Sequence, residues 1–234
     1  VSQYATAGWD VIGTSRSPDD DADLQALAAA HSNITIEALD VTNLNQITAL
    51  AKKYDGTAID VLVNNAGMYG DRPRQAWGAL DKDLFEQVMA VNVFGPLKVT
   101  EAFEAHVAAS EEKKVTVISS TAGSIASVGR ASTSPYYSIS KAAVNMAMRG
   151  TAMRLKERGI AVAIFMPGAV DTRMLRQAFG MEKAEAEATE DFDYRGFKPL
   201  TTEQSISQMI ATTAALTLDR SGDFLNYDGS TIPW

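Results

Sequence analysis

The chain has 234 residues, 46% apolar and 21% charged, enough for one sizeable α/β domain. Its formal net charge of −8 argues against nucleic acid or an anionic membrane surface as a partner. With no cysteine it has no disulfide, no thiolate nucleophile and no cysteine-ligated zinc.

No apolar run approaches the roughly 18 residues of a membrane span, and no signal peptide is visible, so the expectation is a cytoplasmic protein. The two histidines, His31 and His106, fall in predicted helices without a companion ligand and read as solvated surface. Taken in order, Val1 to Ala7 reads as the tail of a helix closed by Gly8, followed by a short apolar strand, 10–15, and a loop, 16–21. A helix is predicted over 22–30 and a strand over 34–39. Thr42 or Asn43 can then cap a helix running to about Tyr54. The run 59–63 is a buried-type strand that stops at Asn64-Asn65-Ala66-Gly67. A polar loop through Pro73 precedes one long helix over about 81–109, and strands follow over 115–118 and 160–165. Short β-branched strands alternating with helices indicate βαβ units: a Rossmann-like, doubly wound parallel sheet in a single domain, 1–234. Ligands of such sheets bind at the carboxyl ends of the strands, where Arg16, Asp40, Asn64, Ser120 and Pro167 lie.

Between the last two of those strands, Ser134-Pro135-Tyr136-Tyr137-Ser138-Ile139-Ser140-Lys141 opens a helix. Ser134 can serve as N-cap, Pro135 as its first residue, and Gly159 as its stop. Tyr137 and Lys141, four residues apart, share a face of it. A phenol beside a fixed ammonium is expected to have its pKa lowered from about 10, which would make Tyr137 a general acid/base. A surface contact is the competing reading of the same spacing.

Asn92 and Pro96 are four apart in the long predicted helix. Proline has no N–H, so the Asn92 carbonyl loses its partner and the helix kinks. The freed carbonyl can take a water as donor, or the helix can simply break at Gly95-Pro96 for packing.

Six signatures now stand in one register: Asp40-Val41, Asn64-Asn65-Ala66-Gly67, Asn92, Ser119-Ser120, Tyr137-x-x-x-Lys141, and Pro167-Gly168-Ala169-Val170-Asp171-Thr172. In them the chain resembles the short-chain dehydrogenase/reductase family. The ending, Gly222 to Gly229 with Ile232-Pro233-Trp234, resembles more narrowly its C-factor and sniffer-like carbonyl reductase branch. The resemblance implies hydride transfer between a nicotinamide cofactor and a carbonyl or alcohol substrate. Tyr137 would protonate the oxygen, Lys141 would lower its pKa and bond the ribose, Ser120 would hold the carbonyl, and Asn92 would carry a proton-relay water. It assigns cofactor contacts to Arg16, Asp40, Val41, Asn64, Ala66, Gly67, Tyr137, Lys141, Pro167, Gly168, Val170 and Thr172. Ser119 beside Ser120 blurs one assignment. The loop Ser124 to Ser134 is longer than the family's usual one.

An arginine at the end of the second of the family's strands suits the 2′-phosphate of NADP, where a carboxylate would suit NAD. Arg16 therefore favours NADP, against the reading of a solvated loop arginine. Residues 173–199, aromatic side chains in an acidic background, fall at the family's substrate lid. Ala142, Ala143, Ala147 and Gly150 suit close helix contact in a homodimer or homotetramer.

The family's glycine-rich turn, TGxxxGxG, does not occur in the chain. The expectation is that this turn and a β-strand precede Val1 in the complete protein. Without that strand, its two neighbours must pair directly or leave facing edges. Two functions stay open: an NADP-dependent carbonyl reductase, or a reductase-like scaffold that binds without turnover.

Overall fold

Six parallel strands alternate with helices in this computed structural model, which describes residues 1–127, 134–178 and 198–234. A short helix, α1 (Ser2–Thr6), turns at Gly8 (φ +86°) into β1 (Val11–Ser15). Then come α2 (Ala22–Ala30), β2 (Ile34–Ala38), α3 (Leu44–Lys53) and β3 (Val61–Asn64). Helices α4 (Lys82–Met89) and α5 (Gly95–Ala108) lead to β4 (Lys114–Ile118), α6 (Pro135–Leu155) and β5 (Ala161–Met166). The described chain closes with α7 (Arg173–Ala178), α8 (Thr202–Ala214) and β6 (Phe224–Asn226).

Helix boundaries follow local chemistry. Of the two candidate caps for α3, Asn43 does the work, its side chain accepting from the N–H groups of Asn45 and Gln46. Asp21 caps α2 in the same way, and Thr201 with Gln204 forms a reciprocal capping box on α8. Gly159, at φ +73°, ends the turn that follows α6.

The helix expected over 81–109 is two helices, α4 and α5, joined by a π turn at Ala90–Phe94. In this wider turn the Gly95 N–H donates to the Ala90 carbonyl five residues back, and the turn ends just before Pro96, which has no N–H to give. The proline is thus accommodated by widening the helix for one turn. Gly95 lets this turn lie on the end of β2, since a Cβ there would come 2.8 Å from Val41 Cγ2.

The core is built on β5, whose residues Val162 to Phe165 are fully buried. Val144, Met148, Ala152 and Leu155 of α6 cover one side of it; Met209 of α8 and Leu216 cover the other. A third cluster joins Leu39, Ile47 and Leu50 to Val99 and Phe103 of α5. His106 belongs to this region and is buried, not solvated: Nε2 lies 3.0 Å from the Ala51 carbonyl, tying α5 to α3.

The strands form two sheets, β1-β2 and β3-β4-β5-β6. Of the two outcomes expected for the neighbours of the family's first strand, direct pairing does not occur: among the described residues β1 pairs with β2 alone, and β3 with β4 alone. Helices hold the sheets to each other, α3 packing on α5 while Gln3 of α1 donates to the Glu203 carbonyl of α8. Ile12 is 36% exposed and Val63 44%. Side chains this exposed make little packing contact with the described residues. Packing is therefore uneven across the sheet. Phe165→Ala should cost about 3–5 kcal/mol, and Val63→Ala less than about 1 kcal/mol, by urea unfolding. Equal losses would show that β3 is as tightly packed as β5.

Candidate active site

Helix α6 begins at Pro135, but the Ser134 hydroxyl does not cap it. A buried first-turn donor finds its partner elsewhere: Gln75 Oε1 accepts from the Tyr136 N–H at 3.1 Å. Gln75 is wholly buried, and its Nε2 donates to the carbonyls of Tyr69 and Asp71 at 3.2 and 3.3 Å. One side chain thus fastens the loop after β3 to the start of α6. Tyr136 itself is buried against Leu84 and Val88, with the Phe85 ring edge-on at 5.3 Å.

This leaves Tyr137 half-buried, its ring 4.8 Å from that of Tyr69 and its phenol near enough to the Ser120 side chain to feel it. The neighbouring Ser119 is turned away, its hydroxyl bonded to buried Asn145, so the two serines are distinct in geometry. Lys141 is 4% exposed and donates from Nζ to the Ile118 carbonyl at 2.8 Å. Nζ stands 5.6 Å from the centre of the Tyr137 ring.

The expected lowering of the Tyr137 pKa is corrected by this arrangement. Burial pushes the phenol up to about 12, offset only in part by the Ser120 side chain. Burial likewise pushes the Lys141 ammonium down, to about 8. The ammonium is engaged with the Ile118 carbonyl, and burial sets the direction of both shifts.

Asn92 lies in the π turn with 1% exposure. Its amide pairs with both backbone groups of Met68, accepting from N–H and donating to C=O, each at 2.8 Å. Nδ2 also donates to Ser140 Oγ at 2.9 Å, and that hydroxyl donates to the Tyr137 carbonyl at 2.7 Å. The loop, the π turn and α6 are thereby one hydrogen-bonded unit. Gly67 closes the space: a Cβ there would lie 3.5 Å from Asn92 Oδ1 and 3.7 Å from Lys141 Nζ.

The other sequence-derived residues surround this centre unequally. Ala66 and Gly67 are exposed, whereas Asn64 is buried, its amide donating to Thr100 Oγ1 at 3.1 Å and toward the Thr116 carbonyl. Asp40 accepts from the N–H and hydroxyl of Thr42; these bonds, aided by the charge of exposed Arg16, hold its carboxyl below the usual range. Val41 packs against Gly95. The Pro167 carbonyl accepts from Ser205, and Gly168 (φ +87°) lies against Leu200. Val170 forms a bridge with Leu200, and Thr172 Oγ1 accepts from the Leu175 N–H at 3.3 Å. Asp171 is bonded twice to buried Arg176, at 2.6 and 2.7 Å. Of the lid expected over 173–199, α7 and residues 198–199 are described. Its aromatic residues, and 128–133 of the long loop, lie outside the described residues.

Sequence reasoning missed Gln75 and Ser140. Neither carries a motif; a glutamine in a polar loop and a serine on a helix become informative only when their partners are known.

Comparison with known proteins gives the arrangement a context. The family model for short chain dehydrogenases matches residues 1–183. An uncharacterized oxidoreductase of Schizosaccharomyces pombe is 31% identical over 97% of this chain and 88% of its own. The C-signal protein of Myxococcus xanthus is 31% identical over 75% of this chain and 93% of its own. Among solved structures, the NADPH-bound carbonyl reductase from chicken fatty liver superposes with a TM-score of 0.81 at 28% identity, covering 97% of this chain and 88% of that one. With its parallel α/β fold and the family match over three quarters of its length, the chain belongs to the short-chain dehydrogenase/reductase family of oxidoreductases.

Proposed function

We propose that this protein is an NADP-dependent reductase that converts a small carbonyl compound to an alcohol, using Ser120, Tyr137, Lys141 and Asn92. The observation that carries the reading is the Tyr137 phenol standing beside Ser120 and protonated by burial, with the Lys141 ammonium 5.6 Å from its ring. A carbonyl oxygen seated between these hydroxyls meets two O–H donors, one of which can be given up as a proton. The similar chicken carbonyl reductase is NADPH-bound.

The residues present suit such a cofactor at both ends. An ammonium carries three N–H donors; among the described residues Lys141 has one acceptor, the Ile118 carbonyl, which leaves donors for ribose hydroxyls. Ala66 and Gly67 offer exposed backbone beside it, with Val41, Asn64, Pro167, Gly168, Val170 and Thr172 around the same strand ends. Exposed Arg16, near enough to Asp40 to act on its charge, supplies a cation for a 2′-phosphate. When bound, the dinucleotide supplies the hydride that the carbonyl carbon accepts. Ser120 holds the oxygen, Tyr137 passes it the phenolic proton, and the Lys141 charge stabilises the phenolate left behind. Asn92 keeps Met68 and Ser140 in register with this exchange. A phenol that stays protonated through neutral pH is poised for reduction; alcohol oxidation would need it deprotonated first.

A second reading is a binding scaffold of the same fold without turnover. NADPH titration by nicotinamide fluorescence separates the two. Binding accompanied by carbonyl reduction supports the reductase; no binding at millimolar NADPH supports the scaffold.

In the active protein, Tyr137→Phe should lower kcat for carbonyl reduction by about 10²–10⁴-fold, with NADPH binding retained. Activity equal to the parent would place the acid elsewhere. NADPH should be preferred to NADH, and Arg16→Asp should erode or invert that preference. Identical kinetics with both cofactors before mutation would remove Arg16 from the reading.

We also propose a homodimer through α5 and α6, where the turn leading into α5 exposes Phe94 and α6 exposes Ile139, Met146 and Met153. Gly150 on the same helix leaves open space where a Cβ would stand. Met146→Glu should shift the light-scattering mass to that of a monomer, and a parent protein already monomeric would end this part of the proposal.

A further inference from the structure

We propose that Ile232-Pro233-Trp234 is a strap that positions the Ser120 hydroxyl, making Ser124 and Trp234 positioning residues of the site. The proposal rests on the reading of Ser120 as the group that holds the carbonyl oxygen.

Ser120 stands at the start of a tight turn, Thr121–Gly123, and the chain beyond it is held from two sides. On the α6 side, Gly123 lies directly on the helix backbone: a Cβ there would be 2.5 Å from the Lys141 carbonyl carbon. Asn145 adds a long bond to the Gly123 carbonyl. On the other side the holds come from the strap. Ser124, 1% exposed, donates from Oγ to the Pro233 carbonyl at 2.7 Å. The Ala126 N–H donates to the Trp234 carbonyl at 2.9 Å.

The strap is itself anchored to the core. After β6 the chain reverses through Gly229 (φ +83°), Thr231 bridges back to Leu225, and the Ile232 N–H donates to the Phe224 carbonyl at 2.8 Å. The Trp234 ring stacks on Phe224 with centroids 5.5 Å apart, and the Arg149 guanidinium lies 5.0 Å from it. A ring fixed between β6 and α6 thus sets where two backbone carbonyls meet the Ser120 loop. Within the turn, Ser120 Oγ accepts from the Ala122 N–H at 3.1 Å, while its carbonyl accepts from Gly123. Displacement of Ser124 is therefore transmitted to the hydroxyl within one turn. A hydroxyl misplaced by about 1 Å can cost up to roughly 100-fold in rate.

Trp234 is 38% exposed, so its replacement opens no sealed cavity. The test compares Trp234→Ala, Trp234→Phe and Ser124→Ala by amide hydrogen exchange and by NADPH-dependent reduction of 4-nitrobenzaldehyde. In Trp234→Ala, exchange at Ala122, Gly123 and Ser124 should rise about tenfold while β5 amides stay unchanged. The kcat should fall about tenfold with the KM for NADPH unaltered, Trp234→Phe should restore both readouts, and Ser124→Ala should move them the same way. Unchanged exchange at 122–124 in both Trp234→Ala and Ser124→Ala overturns the strap, as does acceleration spread equally to β5. A rise in KM with kcat intact overturns the positioning role. Faster loop exchange in a protein whose parent reduces no carbonyl upholds the strap and overturns the reductase reading instead.

Discussion

The site depends on a cation placed where cations are costly. Lys141 carries its ammonium into the interior, and its one carbonyl partner among the described residues does not offset desolvation, so its pKa falls to about 8. Burying it makes no sense as a device for stability, because an apolar side chain of similar volume would fill the space at less expense. What it requires of its surroundings is strict. Gly123 must leave room along the helix backbone, and Asn92 must keep the Met68 loop alongside.

The scaffold meets those requirements with short polar bridges between elements distant in sequence. Asn92 and Ser140 are 48 positions apart, and Gln75 and Tyr136 are 61 apart. Such bonds are worth little each in net stability, about 0.5–1.5 kcal/mol, yet a buried partner left unmatched costs more. They select one arrangement of loop and helix, and leave the apolar packing of β5 with α6 and α8 to supply the bulk of the stability.

What the sequence made legible was what is local. Apolar runs located the strands, and residues such as Asn43, Pro135 and Gly159 marked helix ends through their own backbone preferences. The spacing of Tyr137 and Lys141 placed both on the start of one helix, as it does in the structure. Three things were not legible, each because it depends on a partner far along the chain. The direction of the Tyr137 pKa follows from burial, which spacing does not report. His106 is hidden by α3, not by its own helix. The kink at Pro96 was foreseeable, but its resolution as a π turn depends on how Gly95 meets Val41. The long loop and the lid gave clear sequence signals whose main parts fall outside the described residues.

The division into two sheets bears on how the protein behaves in company. An unpaired strand edge is a template: it offers its N–H and C=O groups to any extended chain that approaches. Proteins commonly blunt such edges with a lysine, a proline or a bulge, yet Val11–Ser15 and Val61–Asn64 contain no charge and no proline. Nothing in either segment discourages an added strand. One extended strand laid against both edges would find donors and acceptors on each side and join the two sheets into one.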